Sequence, residues 1–233
     1  MATLNDTKKI QVEVFDDKLF VDFALLGAFV AKLSQANFDD GDFDHGSDIF
    51  VTPERVIHIS MTLTATIHDA ITIAWKEKVK YDLVRPTTII KKLEDGNQMI
   101  TTWAPGADAD SPKTFPSRDF EAYIRVMPHS EYVSGSACIF QGLEDFVVEY
   151  LSRIGVDSTS FPIGFPPIQS RFEPGVVPRT PVELTYPTIQ EMAFAGSESR
   201  LDGGMHFGES VPGAKELCKG IGTEVAIGSL DLI

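Results

Sequence analysis

The sequence predicts an all-α protein, a helical bundle that carries long proline-rich loops. Apolar residues recur at helical spacing over residues 18–36, and hydroxyl residues mark helix starts at Thr52 and Thr188. Half of the 14 prolines lie between 162 and 187, where they interrupt regular elements, and strand-like alternation is scarce. The 233 residues are 43% apolar, enough for one core, so we treat 1–233 as a single helical domain.

The first predicted helix covers residues 18–36, and an acidic loop at 38–48 follows it. That loop resembles a calcium loop in spacing its acids as Asp40, Asp42 and Asp44. His45 stands where a calcium loop has glycine, and no glutamate closes the twelfth position. We therefore interpret the segment as a solvated acidic loop.

Four further signals predict the remaining elements. Thr52 and Pro53 start a helix that runs to about residue 79, and Ser134 caps a helix over 135–152. A capping box, Thr188 to Glu191, opens another helix, and a last one runs from about 212 to 222. The stretches 103–128 and 162–187 are predicted to be long loops.

Charge and the N-terminal sequence limit the partners and the location. Basic residues number 20 and acidic residues 34, so the net charge of −14 argues against nucleic acid and anionic membranes as partners. The first ten residues are polar, and the longest apolar run is too short and too charged for a membrane span. We expect a soluble protein of unknown location. Cys138 and Cys218 are interpreted as buried structural thiols, which leave the compartment open.

A cationic segment interrupts the acidic chain between residues 76 and 92, with six basic and two acidic residues. Lys78 and Arg85 lie seven apart, so both could project from one side of a helix that Pro86 would end. Such a pair suits a tetrahedral oxyanion. Taken alone, the segment is better interpreted as a solvated basic face than as an oxyanion site.

Two other segments can also be interpreted either as parts of an anion site or as ordinary structural features. Ser134 and Gly135 begin an apolar helix, where the hydroxyl and the backbone amide suit an anion, although Ser-Gly is also common in turns. Arg200 and His206 flank two glycines that permit close approach of a ligand. A single histidine in such a place is more often structural than a ligand.

Together and in this order, the three segments resemble the vanadium-dependent haloperoxidases and the related type 2 phosphatidic acid phosphatases. Three sequence segments favour the haloperoxidase branch. They are HDAITIAWKEKVKYDLVRP (68–86), HSEYVSG (129–135) and SRLDGGMHFGESVPGAKELCKGIG (199–222). The phosphatase motif usually has aspartate four residues after its last histidine, and this chain has Ser210 there. The resemblance reaches from the first predicted helix to residue 222.

The resemblance implies a vanadate site in a helical bundle, where phosphate would also fit. His206 would bind the vanadium, and the cations and donors around the oxyanion would be Lys78, Arg85, Arg200, Ser134, Gly135 and Ser136. Lys78, His206 and Ser136 would be the catalytic residues. The substrates would be hydrogen peroxide, a halide and a small organic acceptor.

Two departures from the family pattern keep alternatives open. The family commonly has Ser-Gly-His, and Ser136 cannot replace that histidine as a general acid near neutral pH. Family members are about twice as long, so we expect this chain to pair with a copy of itself or with a separate N-terminal chain. The alternatives are an acid phosphatase that forms a phosphohistidine at His206, and a non-catalytic oxyanion-binding relic or subunit.

Overall fold

A computed structural model describes residues 4–39, 51–105 and 112–231 of the chain. Over these residues the protein is mainly helical, as predicted. The helices are α1 (Asp6–Asp16), α2 (Lys18–Asp39), α3 (Pro53–Tyr81), α4 (Pro86–Ile90), α5 (Gly135–Arg153), α6 (Ile189–Asp202), α7 (Ser210–Cys218) and α8 (Ile221–Leu230). The acids at 40–48, on which the calcium-loop alternative depends, lie outside the described residues.

The stretches predicted to be loops contain three short strands, and a fourth strand precedes the first stretch, so these stretches are not wholly irregular. Strand β1 (Met99–Thr102) pairs with β2 (Lys113–Pro116), with Met99 opposite Pro116. Strand β3 (Ile163–Phe165) pairs with β4 (Leu184–Tyr186), with Gly164 opposite Thr185. Ile163 and Phe165 of β3 and Leu184 of β4 are buried in the hydrophobic core.

Side-chain caps fix the predicted helix starts. The Thr52 hydroxyl accepts from the Arg55 amide at 3.2 Å, and the Ser134 hydroxyl accepts from the Ala137 amide at 3.3 Å. The Thr188 hydroxyl accepts from the amide of Glu191 at 3.2 Å. These local signals place the starts of α3, α5 and α6 correctly.

The sequence did not predict α1, because its core-facing side includes charged residues. Lys9 and Glu13 are buried there. The Lys9 ammonium lies 2.6 Å from a Glu173 carboxylate oxygen, and the Tyr123 hydroxyl donates to Glu13 at 2.7 Å. Buried charge is tolerated when it is paired in this way. The contact with Glu173 anchors the loop at 162–187 to α1, and the contact with Tyr123 anchors the stretch at 103–128.

Two predicted helix ends differ from the structure. The helix predicted over 212–222 is two helices, α7 and α8, separated at Gly220, whose φ of 87° is accessible to glycine. Helix α3 ends at Tyr81, within two residues of the predicted end at 79, and it does not extend to Pro86, because Asp82 adopts a left-handed conformation with φ 45°. Arg85 therefore lies beyond the helix, at the start of α4.

Helix α5 is the centre of the bundle and packs against α3, α6, α7 and α8. Its side chains Phe140, Leu143, Phe146 and Tyr150 are fully buried. Close packing with α8 requires glycine, since a Cβ on Gly222 would overlap the backbone of α5. The middle of α5 is thus in close backbone contact with α8.

Cys138 of α5 and Cys218 of α7 form a disulfide, which corrects the prediction of two thiols. Both residues are buried, as expected. Their Cα atoms lie 5.2 Å apart because α5 and α7 pack together, a distance within the usual range for disulfides. The residues are 80 apart in sequence, so spacing gave no sign of this pairing.

Two helical stretches, Lys18–Ala36 and Pro53–Gly96, are long and apolar enough to cross a membrane. This is weak evidence, since the core helices of many proteins meet the same criteria. Both α2 and α3 bury one face in the core, including Phe29 and Leu63. Each also exposes large apolar side chains, such as Phe23 on α2 and Met61 on α3.

Candidate functional site

The three predicted segments meet at one cavity of about 630 Å³. The C-terminal part of α3, the start of α5 and the end of α6 reach it from different directions. Of the predicted site residues, those on its wall are Lys78, Arg85, Gly135, Ser136, Arg200 and His206. Ser134 is fully buried just behind the wall.

Lys78 projects from the last turns of α3 and is almost fully buried. Its ammonium donates to the carbonyls of Ser130 at 2.9 Å and Glu131 at 3.1 Å. An ammonium has three protons, so one remains for a ligand. Burial, and after it the charge of Arg85, lowers the pKa of Lys78 to about 8.

Arg85 is held by the loop that precedes α5 and by the segment of His206. Its Nε donates to the His129 carbonyl at 3.0 Å, and its Nη1 donates to the Met205 carbonyl at 3.0 Å. Nη1 also lies 3.2 Å from Nε2 of His206. Burial lowers the pKa of Arg85, yet a guanidinium remains charged at neutral pH.

Arg200 lies at the end of α6, and only 3% of its side chain is exposed. Its Nη2 donates to a carboxylate oxygen of Asp16 at 3.0 Å. Its Nη1 is buried and has no hydrogen-bond partner among the described residues. A buried N–H without a partner is costly, so this donor is available to a ligand in the cavity.

The start of α5 contributes Gly135 and Ser136 to the wall. The oxygen of Ser134 already accepts from the Ala137 amide, while its own proton remains available. Gly135 has little space for a side chain, since a Cβ there would lie 2.9 Å from Ile71. Gly135 and Ser136 thus bring the N-terminus of α5, with its helix dipole, to the cavity, where it suits an anion.

His206 is held between a carboxylate and a guanidinium. Its Nδ1 lies 2.9 Å from Oε1 of Glu131, and its Nε2 faces Nη1 of Arg85. Burial lowers the pKa of His206 to about 4, against the opposing effect of Glu131, so the ring is neutral at neutral pH. An arginine can only donate and a carboxylate can only accept, so the proton is on Nδ1 and the lone pair is on Nε2.

Glu131 contacts His206, and the sequence did not predict that it belongs to the site. Burial alone would raise its pKa, but hydrogen bonds from His206, Ser210 and Phe207 outweigh that effect and hold the pKa below its ordinary value. Glu131 lies within the motif HSEYVSG (129–135), but the sequence does not show that its side chain points toward His206. Glu131 is therefore an ionised carboxylate beside the proposed metal ligand.

Lys18 and Asp16 also line the cavity, and neither was predicted to do so. They lie at the junction of α1 and α2. Burial, followed by the charge of Arg200, lowers the pKa of Lys18 to about 7, while Asp16 and Asp17 oppose the shift. Because the sequence did not predict α1, it did not predict that Asp16 and Lys18 line the cavity.

The donor set fits a tetrahedral oxyanion such as vanadate or phosphate. Lys78, Arg85 and Arg200 present positive charge, and the unpaired Nη1 of Arg200 and the N-terminus of α5 add donors. Within the described residues, no group of three or more His, Cys, Asp or Glu side chains could hold a bare metal ion. The residues present therefore fit an anion held by its oxygens, and the lone pair of His206 Nε2 lies beside the same cations.

The fold and this cavity define an all-α bundle with an oxyanion site between helix ends. Residues 58–231, more than half of the chain, match the family model described as the VCPO second helical-bundle domain. The chain belongs to this family of vanadium haloperoxidase-like proteins. Among curated proteins, no sequence matches the chain.

Solved structures of haloperoxidases share the fold. A bacterial vanadium-dependent chloroperoxidase in its holo form superposes with a TM-score of 0.75 at 22% identity, over 99% of this chain and 45% of that chain. Its apo form gives the same TM-score and identity. A bacterial vanadium-dependent iodoperoxidase gives 0.56 at 15% identity, over 95% of this chain and 43% of that chain. The chain spans less than half the length of these structures.

Proposed function

We propose that the chain is the catalytic part of a vanadate-dependent haloperoxidase-like enzyme, with residues 1–233 as one domain. The observation that carries the proposal is the state of His206: neutral, with Nδ1 bonded to Glu131 and the lone pair of Nε2 directed toward the cations of the cavity. A neutral imidazole with one fixed nitrogen is the form that binds a metal centre.

Each residue of the site has a proposed role. His206 would bind the vanadium through Nε2, and Lys78, Arg85 and Arg200 would neutralise the oxyanion. Ser134, Gly135 and Ser136 would donate hydrogen bonds to its oxygens at the start of α5. When bound, vanadate supplies the Lewis-acid chemistry that makes hydrogen peroxide reactive toward a halide.

Lys78 is the residue proposed to polarise the bound oxidant. Two of its protons are held by backbone carbonyls, so the direction of its third N–H is set by the protein. A donor fixed in advance costs no reorganisation during the reaction. Ser136 would donate a hydrogen bond or hold a water, since a serine hydroxyl does not titrate near neutral pH. Hydrogen peroxide would take two electrons from the halide and be reduced to water, and the oxidised halogen would be transferred to a small organic acceptor.

A phosphatase is the second candidate, because the same cavity suits phosphate and Glu131 would support a nucleophilic His206. One comparison separates the candidates: halogenation of monochlorodimedone with peroxide and halide, with and without vanadate, beside hydrolysis of a phosphate ester. We expect halogenation only with vanadate, and loss of tightly held vanadate in H206A with retention in H68A, whose ring is exposed. Hydrolysis without halogenation would favour the phosphatase. Neither activity, with vanadate still bound, would favour the relic or subunit.

The apolar side chains exposed on α2 and α3 indicate a protein partner. Phe23 is 70% exposed, Met61 66% and Val79 75%. Leaving large apolar side chains in water is unfavourable by about 25 cal/mol per Å². We propose that a second helical bundle, in a copy of this chain or in a separate N-terminal chain, covers them. The coverage of less than half of the solved structures supports this proposal.

A further inference from the structure

We propose that Glu131 is a positioning residue that fixes the tautomer of His206. In this role it takes the place of the aspartate that the phosphatase motif carries four residues after its histidine. The vanadate readout of this proposal rests on the proposed function, whereas the tautomer itself is a property of the free protein.

The first support is the hydrogen-bonding of one carboxylate oxygen. Oε1 of Glu131 accepts from His206 Nδ1 at 2.9 Å, from the Phe207 amide at 2.9 Å and from the Ser210 hydroxyl at 2.5 Å. Glu131 is only 2% exposed, so these bonds are shielded from water. Three donors around one buried oxygen fix its position, and the ring of His206 is fixed with it.

As the second support, Arg85 contacts the other nitrogen of the His206 ring. Arg85 Nη1 faces Nε2 at 3.2 Å, and a guanidinium has no lone pair to offer. Arg85 alone would allow a ring that tilts or turns, since its fork also serves His129 and Met205. The carboxylate on Nδ1 selects one orientation and keeps the proton away from the nitrogen that a ligand needs.

The third support is the relation between Glu131 and Ser210. Ser210 occupies the position of the motif's aspartate, and its hydroxyl donates directly to Glu131. The Ser134 amide also donates to the Ser210 carbonyl at 3.0 Å, which holds the start of α7 against the start of α5. A carboxylate from either position, 131 or 210, would therefore reach the same space beside His206.

The backbone of Glu131 also contacts Lys78, a second residue of the site. Its carbonyl accepts from Lys78 at 3.1 Å, and its amide donates to the Leu83 carbonyl at 2.8 Å. These bonds do not involve the side chain, so a substitution at 131 can remove the carboxylate and leave the Lys78 contact in place. The side chain's effect on His206 can thus be measured separately.

The test compares E131A with the double variant E131A/S210D, and uses E216Q as the matched control on α7. Glu216 is an exposed carboxylate on the same helix as Ser210, whereas Glu131 is buried. Long-range proton–nitrogen NMR of the vanadate-free protein reports which ring nitrogen of His206 carries the proton, with H206A identifying its signals among the five histidines. Vanadate titration then gives the dissociation constant, and thermal unfolding reports the folded fraction.

We expect the Nδ1–H tautomer in the wild type and in E216Q. E131A should lose it and bind vanadate about 10- to 100-fold more weakly. E131A/S210D should restore both, because the carboxylate returns from α7. If E131A does not fold, the double variant must fold and carry the Nδ1–H tautomer for the proposal to stand.

Two results would overturn the proposal: an E131A protein with wild-type tautomer and affinity, or a folded double variant that lacks the Nδ1–H form. Failure of the wild type to bind vanadate would instead count against the proposed function. The tautomer measurement would still decide the role of Glu131, because it requires no vanadate.

Discussion

Nη1 of Arg85 lies 3.2 Å from Nε2 of His206, so the guanidinium occupies the lone pair that a bound vanadium would use. A ligand can bind His206 only if Arg85 turns its Nη1 toward the ligand's oxygens. The same arginine would then become a donor to the anion. Arg85 is thus expected to be essential for affinity.

Arg85→Lys is predicted to weaken vanadate binding by roughly 10- to 100-fold. A lysine keeps the charge but loses the fork that spans His129, Met205 and the ligand, and one charge-assisted hydrogen bond contributes about 1.5–3 kcal/mol. Titration calorimetry with vanadate measures the effect. Arg153→Lys, on the exposed end of α5, is the control and should bind normally. Equal affinity in both variants would contradict the role of Arg85.

Lys78 is predicted to make oxyanion affinity fall as the pH rises through about 8. Its folded pKa lies below the ordinary lysine value, so above about pH 8 the ammonium loses its proton and its attraction for an anion. We expect phosphate affinity to fall about tenfold or more between pH 7 and pH 9. Lys78→Arg stays charged, so the difference between the two proteins isolates Lys78 from the titration of phosphate and of Lys18. Parallel pH profiles would contradict the assignment.

The sequence predicted structural features correctly where they depend on residues close together in the chain. Hydroxyl caps at Thr52, Ser134 and Thr188 set helix starts within one turn of chain, and the order of the three oxyanion segments indicated the family. The contacts of Glu131 were not predictable, because they join segments almost eighty residues apart through one side chain. Helix α1 was missed for a different reason: burial of Lys9 depends on a partner, Glu173, that is distant in sequence.

The disulfide between Cys138 and Cys218 is predicted to stabilise the fold by about 2–4 kcal/mol. It closes a loop of 80 residues, and such a link restricts the unfolded chain. Urea unfolding of the wild type and of C138A/C218A measures the difference, and adding a reductant should bring the wild type close to the variant. A free energy of unfolding that is the same in all three conditions would show that the link contributes nothing to stability.

The apolar side chains on α2 and α3 are predicted to be buried by a partner. Light scattering should show an assembly of at least twice the mass of the chain, or a complex once a first helical bundle is supplied as a separate chain. Phe23→Glu with Val79→Glu should abolish that assembly, because two buried charges would remain unpaired. Val176→Glu changes an exposed apolar residue in the loop at 162–187 and is the control. A wild-type chain that stays a stable monomer in both experiments would rule out the proposed partner.

Ser136→His is predicted to increase haloperoxidase activity, most strongly below about pH 6.5. Ser136 lies on the cavity wall one residue after Gly135, so an imidazole there would face the oxyanion and supply a general acid at the position where the family commonly has one. Such groups contribute about 10²- to 10⁴-fold to a rate, and a new one in an unadapted site should reach the lower part of that range. Ser136→Gln, which is polar but does not titrate, is the matched control, and kcat is measured against pH with bromide and chloride. Equal profiles for the two variants would show that proton delivery does not limit this site, because only the histidine can carry a proton at these pH values.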